Sequence, residues 1–573
     1  MRKLVPSWDV RDAQILAAVF ALAAIIRLAA GPLLFTGDEP RYAFQGLGLY
    51  SNHAYYPTLQ LWRTFLHAKP HAPVTYFGVL KRPYNTLAPC ILYGPLLVWF
   101  GLNAARWLSY VIACAGIAVL YVTLRRIFTA HGRWPAAVTI GAIALFIPLL
   151  PYMQLIYPEA LLFLLVSLAF WALLARRPGW TCLFAVLLPF AHPRVFPLAC
   201  TFAIVAAIDA RRELPVRKTA LLAAGYVLGF SGFVASQFAL FGSFTGGAFS
   251  MYSPSLAILP MRLGMQLFDV RHGLLAYSPI LAGGFAGLVA GAIRRNRACA
   301  YASVLLAVYA GTFIWATADE SWTARYWISA LPLLAVGLCF WVDACERWQR
   351  ALVLVPLAAI GVANTWLFTH DSESFLDSRR TSVPYAELYA VTHIHFGLYL
   401  PIDADPFTLP PYTATIPALL ALSALAIFLL AAYVLVKRPV RNGLAVALVT
   451  LFVAPYAVCA GASPPDGTYS VTVPRGQTQI DIRLLRPGMN VRAIQFDRSL
   501  RQYWSRPTFP SYFAVRCYAP DGTPSETVQP SRAVIAFPVC GYPNRIQVRS
   551  FDPGDGAKSY RNVGHLTLID RVL

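Results

Sequence analysis

From Ile15 to Ala460 the chain alternates long apolar runs with short polar links. A helix needs ~20 apolar residues to cross the hydrocarbon of a bilayer, and counting such runs gives roughly thirteen transmembrane helices. Two stretches resist a simple count. Thr181 to Ile208 must leave and return around His192-Pro193-Arg194, which is short for two full crossings. Two short helices meeting at a proline-broken tip are expected there. Thr86 to Phe100 is apolar but contains Pro89 and Pro95, and Trp107 to Leu124 is the better span. Thr86–Phe100 therefore reads as a helix lying in the outer interface. The loop from Thr36 to Ala105 is then long and partly helical, and loops of that length usually carry function.

After Ala460 the period changes from helical to alternating. Tyr469-Ser-Val-Thr-Val473, Gln479-Ile-Asp-Ile-Arg483, Asn490-Val-Arg-Ala-Ile494, Arg545-Ile-Gln-Val-Arg549 and His565-Leu-Thr-Leu568 are separated by turns such as Pro487-Gly488 and Asp521-Gly522. This is the signal of an antiparallel β-sandwich. The expected fold is a polytopic α-helical membrane domain over residues 1–461 followed by a β-sandwich over residues 462–573.

Composition agrees with a membrane protein. The chain is 58% hydrophobic and 13% charged, with a mean hydropathy of +0.56, which excludes an ordinary soluble protein and a disordered one. A net charge of +21 would suit a nucleic-acid partner, but the basic residues cluster in short links between apolar runs. The positive-inside bias and an anionic partner at the membrane account for them better. Arg125/Arg126, Arg176/Arg177, Arg211/Arg212, Arg294/Arg295/Arg297, Arg347/Arg350 and Lys437/Arg438/Arg441 then lie in the cytoplasm, as does the N-terminus with Arg2, Lys3 and Arg11. The N-terminal run is too long for a cleaved signal peptide and reads as a signal anchor. Asp38–Glu39, Tyr152–Glu159, Phe244–Ser278, Ala318–Trp327, His370–Thr413 and the β domain fall outside. That compartment permits a Cys517–Cys540 disulfide, the alternative being two buried free thiols. The other eight of the ten cysteines lie in or beside apolar spans, where they read as packing residues.

Candidate chemistry gathers on the outer side. Asp38 and Glu39 stand in Thr36-Gly37-Asp38-Glu39-Pro40-Arg41-Tyr42, where the first apolar run ends. On an extended loop their side chains diverge, so one can act as base on an acceptor hydroxyl while the other orients substrate or metal. A solvated loop that ends the helix is the plainer reading. Glu159, in Tyr157-Pro158-Glu159, opens a span on the same face and could join Asp38 in one acidic cluster; charge compensation at a helix N-terminus is the competing explanation. Cations outside run against the positive-inside trend: Lys81-Arg82-Pro83, Arg271-His272 ahead of Tyr277, and Arg325-Tyr326. Arginine offers a phosphate a bidentate fork, lysine a point charge and tyrosine a hydroxyl. Each cation could equally contact a lipid headgroup. Arg27, inside the first span, calls for an acid or a carbonyl as partner. Asp319-Glu320, Asp403 and Asp405 read as loop residues, and His67 and His71 have no further ligand nearby. No Walker loop and no GxSxG motif is present.

In order and spacing these segments resemble the GT-C (C-type) membrane glycosyltransferases, in particular the protein O-mannosyltransferase and lipid A aminoarabinose transferase branches. Gly37-Asp38-Glu39-Pro40-Arg41-Tyr42 resembles their first acidic motif, and Tyr157-Pro158-Glu159 their second. Lys81-Arg82-Pro83 is similar to a basic-Pro-Pro segment, with Tyr84 in place of the second proline. Asn103–Leu124 with Ala105-Arg106, Gly273–Pro279, and Arg325-Tyr326 followed by Leu331-Pro332 fit the same pattern, which covers Met1 to about Ala460. The resemblance implies a transferase that moves a sugar from a polyprenyl-phosphate donor to a hydroxyl on a glycan, lipid or protein at the outer face of a bacterial inner membrane, usually with inversion. It implies Asp38 as base and Glu159, with Glu39, holding a divalent cation or the acceptor; a metal would sit on Asp38 and Glu159. Lys81, Arg82, Arg271, His272, Tyr277, Arg325 and Tyr326 would bind the carrier phosphate. The alternatives are a transporter or flippase of polyprenyl-linked glycans, which needs polar residues deep in the bundle, and a non-catalytic envelope protein that binds glycan through the β domain.

Overall fold

The computed structural model describes residues 9–31, 39–51, 87–128, 132–241, 266–267, 273–316, 322–344 and 354–370, together with nine β-strands between residues 469 and 570. The helical part is that of a multi-pass membrane protein. Among the described residues five helices are long and apolar enough to cross a bilayer: Val10–Ala29, Ala88–Ile127, Pro193–Glu213, Val216–Ala239 and Ala324–Ala344. Trp134–Leu145, Pro158–Leu174, Pro178–Ala191, Pro279–Ile293 and Val355–Trp366 are shorter apolar helices. Leu221, Val227, Leu228 and Phe238 on Val216–Phe241 are exposed, as are Trp99 and Phe100. Apolar faces left open like this suit lipid rather than water.

The N-terminal helix starts on a capping box. The Asp9 carboxylate accepts the N–H groups of Arg11 (2.9 Å) and Asp12 (3.1 Å), and the Asp12 side chain reaches back to the Asp9 N–H. Buried Asp12 also accepts from Tyr121 Oη (2.7 Å) and Arg133 Nε (3.0 Å), with Arg125 Nε at 3.3 Å. One carboxylate thus ties three helices together at this end of the bundle.

Leu87–Ile127 is two helices in one continuous run. At Gly101 the backbone takes φ 79° and ψ −177°, a region open essentially to glycine alone. The break falls where the sequence separates an interfacial helix from a span. Gly101→Ala, which meets no neighbouring atom, is expected to destabilise by about 1–3 kcal/mol through backbone strain alone. A thermal melt in detergent that matches the wild type would show that the break does not depend on glycine.

The tip at residues 192–195 has the expected form. Pro178–Ala191 ends at His192, whose extended backbone (φ −162°) precedes Pro193. A 3-10 turn, Pro193–Val195, leads into Phe196–Glu213. Helices Ala282–Ile293 and Leu331–Ala344 approach backbone to backbone. A Cβ on Gly287 would lie 1.8 Å from the Gly337 carbonyl oxygen, and one on Gly337 would lie 2.0 Å from that of Gly284. Small residues permit this approach between membrane helices.

The strands form two antiparallel sheets. The first, in order β1(Tyr469–Val473)-β9(Gly564–Asp570)-β3(Val491–Phe496)-β6(Val534–Ala536), joins strands far apart in sequence. The second runs β2(Gln479–Arg483)-β7(Arg545–Asp552)-β4(Tyr512–Tyr518)-β5(Pro524–Pro530), with β8(Gly556–Ala557) on β7. On β7, Ile546 and Val548 are buried while Arg545 and Gln547 are half-buried, the alternation read from the sequence. The boundary near residue 462, Cys540, and the spans expected between residues 371 and 468 lie outside the described residues.

Candidate functional site

Two acidic residues singled out in the sequence are described, Glu39 and Glu159, and both are fully buried. Glu39 is the first residue of helix Glu39–Ser51 rather than part of an extended loop. Prolines are favoured just inside a helix start, and Pro40 follows it there. The Glu39 carboxylate takes a two-point contact from Arg106, Nε to Oε1 at 2.9 Å and Nη2 to Oε2 at 2.6 Å. The Ile156 backbone N–H adds a third donor to Oε1 at 3.0 Å. Arg106 stands just after the Gly101 break, and its carbonyl accepts from Arg27 Nη1 (3.1 Å). The Arg27 guanidinium lies 3.8 Å from the centre of the Trp107 ring. The carbonyl partner required by a cation in the first span is thus supplied by Arg106.

Glu159 lies in the first turn of Pro158–Leu174, which opens with a proline after the extended Tyr157. Its Oε1 accepts from Arg194 Nη2 (2.9 Å) and Arg325 Nε (2.6 Å). Arg194 comes from the tip at residues 192–195. Arg325 comes from an unusually long 3-10 run, Trp322–Ala330. Ala324, the residue before it, holds φ +56°, which is rare for a residue with a side chain. Aromatic rings complete the setting. Arg194 lies 4.6 Å from the centre of the Tyr326 ring, and Arg325 lies 4.5 Å from that of Tyr157. Tyr309 Oη donates to the Tyr326 carbonyl (2.7 Å) and Trp327 Nε1 to the Gln266 carbonyl (2.9 Å), holding the run in place. His192 accepts the Arg194 N–H on Nδ1 (3.2 Å). Burial, together with the Arg194 and Arg325 charges, holds its pKa well below the ordinary histidine value, so the ring stays neutral.

The two clusters share one end of the bundle. The Ile156 N–H that caps Glu39 is three residues before Glu159, and the Tyr157 ring meets Tyr42 edge-on at 5.9 Å. The Asp12 cluster lies at the opposite end. Asp12 and Arg27 sit at the two ends of one helix, about 22 Å apart at ~1.5 Å per residue. Arg106 and Arg125 lie at opposite ends of another. Arg125, of the first basic link, therefore sits away from Glu39 and Glu159.

No protein family profile and no curated protein matches the chain. Its structure is similar to the apo crystal structure of ArnT from Cupriavidus metallidurans, at 15% identity and a TM-score of 0.42 over 78% of this chain and 77% of that one. It is equally similar to the structure of ArnT from the same organism bound to undecaprenyl phosphate, again at 15% identity and a TM-score of 0.42, over 78% and 76% of the two chains.

Of the other residues singled out, Tyr277 ends a short buried helix, Leu274–Tyr277, where its carbonyl accepts from Asn364 Nδ2 (2.9 Å). The next residue, Ser278, hydrogen-bonds the Ile147 carbonyl. Asp38, Lys81, Arg82, Arg271 and His272 lie outside the described residues. Glu39 and Glu159 lie in separate acid–arginine clusters: Arg106 takes both oxygens of Glu39, while two guanidiniums hold Glu159 Oε1 and leave Oε2 without a partner. The two cations beside Glu159 weigh against a divalent ion there. The cluster expected of Glu159 with Asp38 falls on Asp38, outside the described residues. Among the described residues no three His, Cys, Asp or Glu side chains come together as a ligand set.

Sequence reasoning passed over Arg194 and gave Arg106 no role. Both carried a readable signal, a lone cation among apolar residues at a helix end, which is costly unless partnered. What the pattern could not supply was the partner.

Proposed function

We propose that this chain is a GT-C-like membrane glycosyltransferase that moves a sugar from a polyprenyl-phosphate donor to an acceptor hydroxyl at the outer face of a bacterial inner membrane, with the strand-rich segment as an extracytoplasmic β-sandwich. The observation that carries the reading is the gathering of Glu39, Glu159, Arg106, Arg194 and Arg325 at one end of an apolar bundle, away from Arg125 of the first basic link. The motifs at Gly37–Tyr42, Tyr157–Glu159 and Arg325–Tyr326 support it. Loss of a phosphate leaving group builds negative charge, and fixed cations that meet that charge lower the barrier. Deprotonating the acceptor needs a carboxylate within reach, and one in place contributes ~10²–10⁴-fold. By the motif resemblance the base is assigned to Asp38, with Lys81 or Arg82, Arg271 and Arg325 on the carrier phosphate.

Asp38→Asn is expected to lower transfer from a polyprenyl-phosphate sugar in proteoliposomes by ~10²-fold or more, with expression unchanged. Normal turnover by that variant would remove Asp38 from the role of base. Transport of labelled polyprenyl-linked glycan without any transfer would favour a flippase instead.

A further inference from the structure

We infer that Arg194 and Arg325 form a buried seat for one phosphate group, and that Glu159 is the resident counter-ion of that seat rather than a base or a metal ligand. The inference deepens the proposed function by adding a phosphate-contacting residue, Arg194, and by giving Glu159 a different role. It starts from unpaired donors. The Arg194 side chain is 1% exposed, yet its Nε and Nη1 have no partner. Tyr309 gives its hydrogen to the Tyr326 carbonyl and lies beside Arg194 and Ser329. Buried polar groups are nearly always hydrogen-bonded, and an orphaned charged donor is among the costliest exceptions.

Glu159 Oε1 takes one donor from each of the two guanidiniums. An anion with several acceptor oxygens would take the free Nε and Nη1 of Arg194 while Glu159 keeps Nη2. A phosphate monoester fits this donor set, since arginine forks match its tetrahedral oxygens. The held backbone also suggests a site kept ready. Ala324 sits at positive φ directly before Arg325, and strain of this kind persists where surrounding structure over-determines it.

The test is binding, measured by ligand-induced thermal stabilisation of the full chain in detergent with two probes, inorganic phosphate and a polyprenyl phosphate. Wild type is expected to be stabilised by polyprenyl phosphate, and by inorganic phosphate only at much higher concentration. If both act at the same concentration, the seat takes free phosphate rather than a lipid-borne one. Arg194→Gln should weaken binding at least tenfold, with Arg194→Lys in between. Glu159→Gln should tighten binding several-fold, because it removes the competing carboxylate while keeping the shape. A purely structural ion pair would instead make both single variants weaker. If Arg194→Gln fails to fold, Arg194→Gln with Glu159→Gln leaves no buried charge unpaired and carries the same expectation of lost binding. Binding that is unchanged without Arg194, or lost in Glu159→Gln, overturns the inference. The proposed transferase activity is scored separately: transfer without dependence of binding on Arg194 sinks only the seat, and Arg194-dependent binding without transfer sinks only the enzyme.

Discussion

Arg106→Ala is expected to destabilise the protein by about 3–5 kcal/mol, because it strands the Glu39 carboxylate in a buried site. The contact is a two-point ion pair between side chains that are 4% and 0% exposed, so solvent screens it little. The Ile156 N–H would remain as a donor to Glu39, but one neutral amide does not offset a lost guanidinium. The loss should also spread, because Ile156, which donates to Glu39, belongs to the segment that leads into Glu159. Equilibrium unfolding in mixed micelles measures the effect. Joining Arg106→Gln to Glu39→Gln should recover most of the loss, since neither partner is then a buried unpaired charge. A change below about 0.5 kcal/mol in Arg106→Ala, the range of ordinary surface substitutions, would mean that water or lipid headgroups already reach Glu39.

Gly287→Ala is expected to have the second large effect. The added methyl would lie 1.8 Å from the Gly337 carbonyl oxygen and 2.6 Å from its carbon. Backbone cannot swing aside as a side chain does, so helices Ala282–Ile293 and Leu331–Ala344 must separate. Overpacking of this kind typically costs about 1–3 kcal/mol, and a backbone clash belongs at the upper end. In the proposed reaction the effect on transfer is expected to exceed the stability loss. Leu331–Ala344 continues directly from the 3-10 run that presents Arg325, so a shift of that helix moves the guanidinium away from Glu159. A misplacement of ~1 Å can lower a rate ~10²-fold. Transfer falling much further than thermal stability is the expected pattern. A variant that melts and turns over like the wild type would show that this helix contact is looser than described.

The same geometry bears on how the acids divide their work. Arg106 takes both oxygens of Glu39, and Arg194 and Arg325 share Glu159 Oε1, so both acids are held by arginines. In the proposed reaction the role of base stays with Asp38, to which the motif resemblance assigns it.

The order of apolar runs and basic links was enough to determine a multi-pass helical chain, the proline-broken tip at His192–Arg194, the separation of Thr86–Phe100 from the span that follows, and the alternation of the strands. Each of these follows from local rules: span length, the missing N–H of proline, and the two-residue repeat of a strand. Single residues were legible too, since an acid or a cation at the edge of an apolar run is costly enough to demand a reason. Only the tertiary structure decided the pairing. Glu39 meets Arg106 and Glu159 meets Arg194 and Arg325 across 67, 35 and 166 positions of sequence. No periodicity encodes such distances, because they depend on which helix ends the packed bundle brings together.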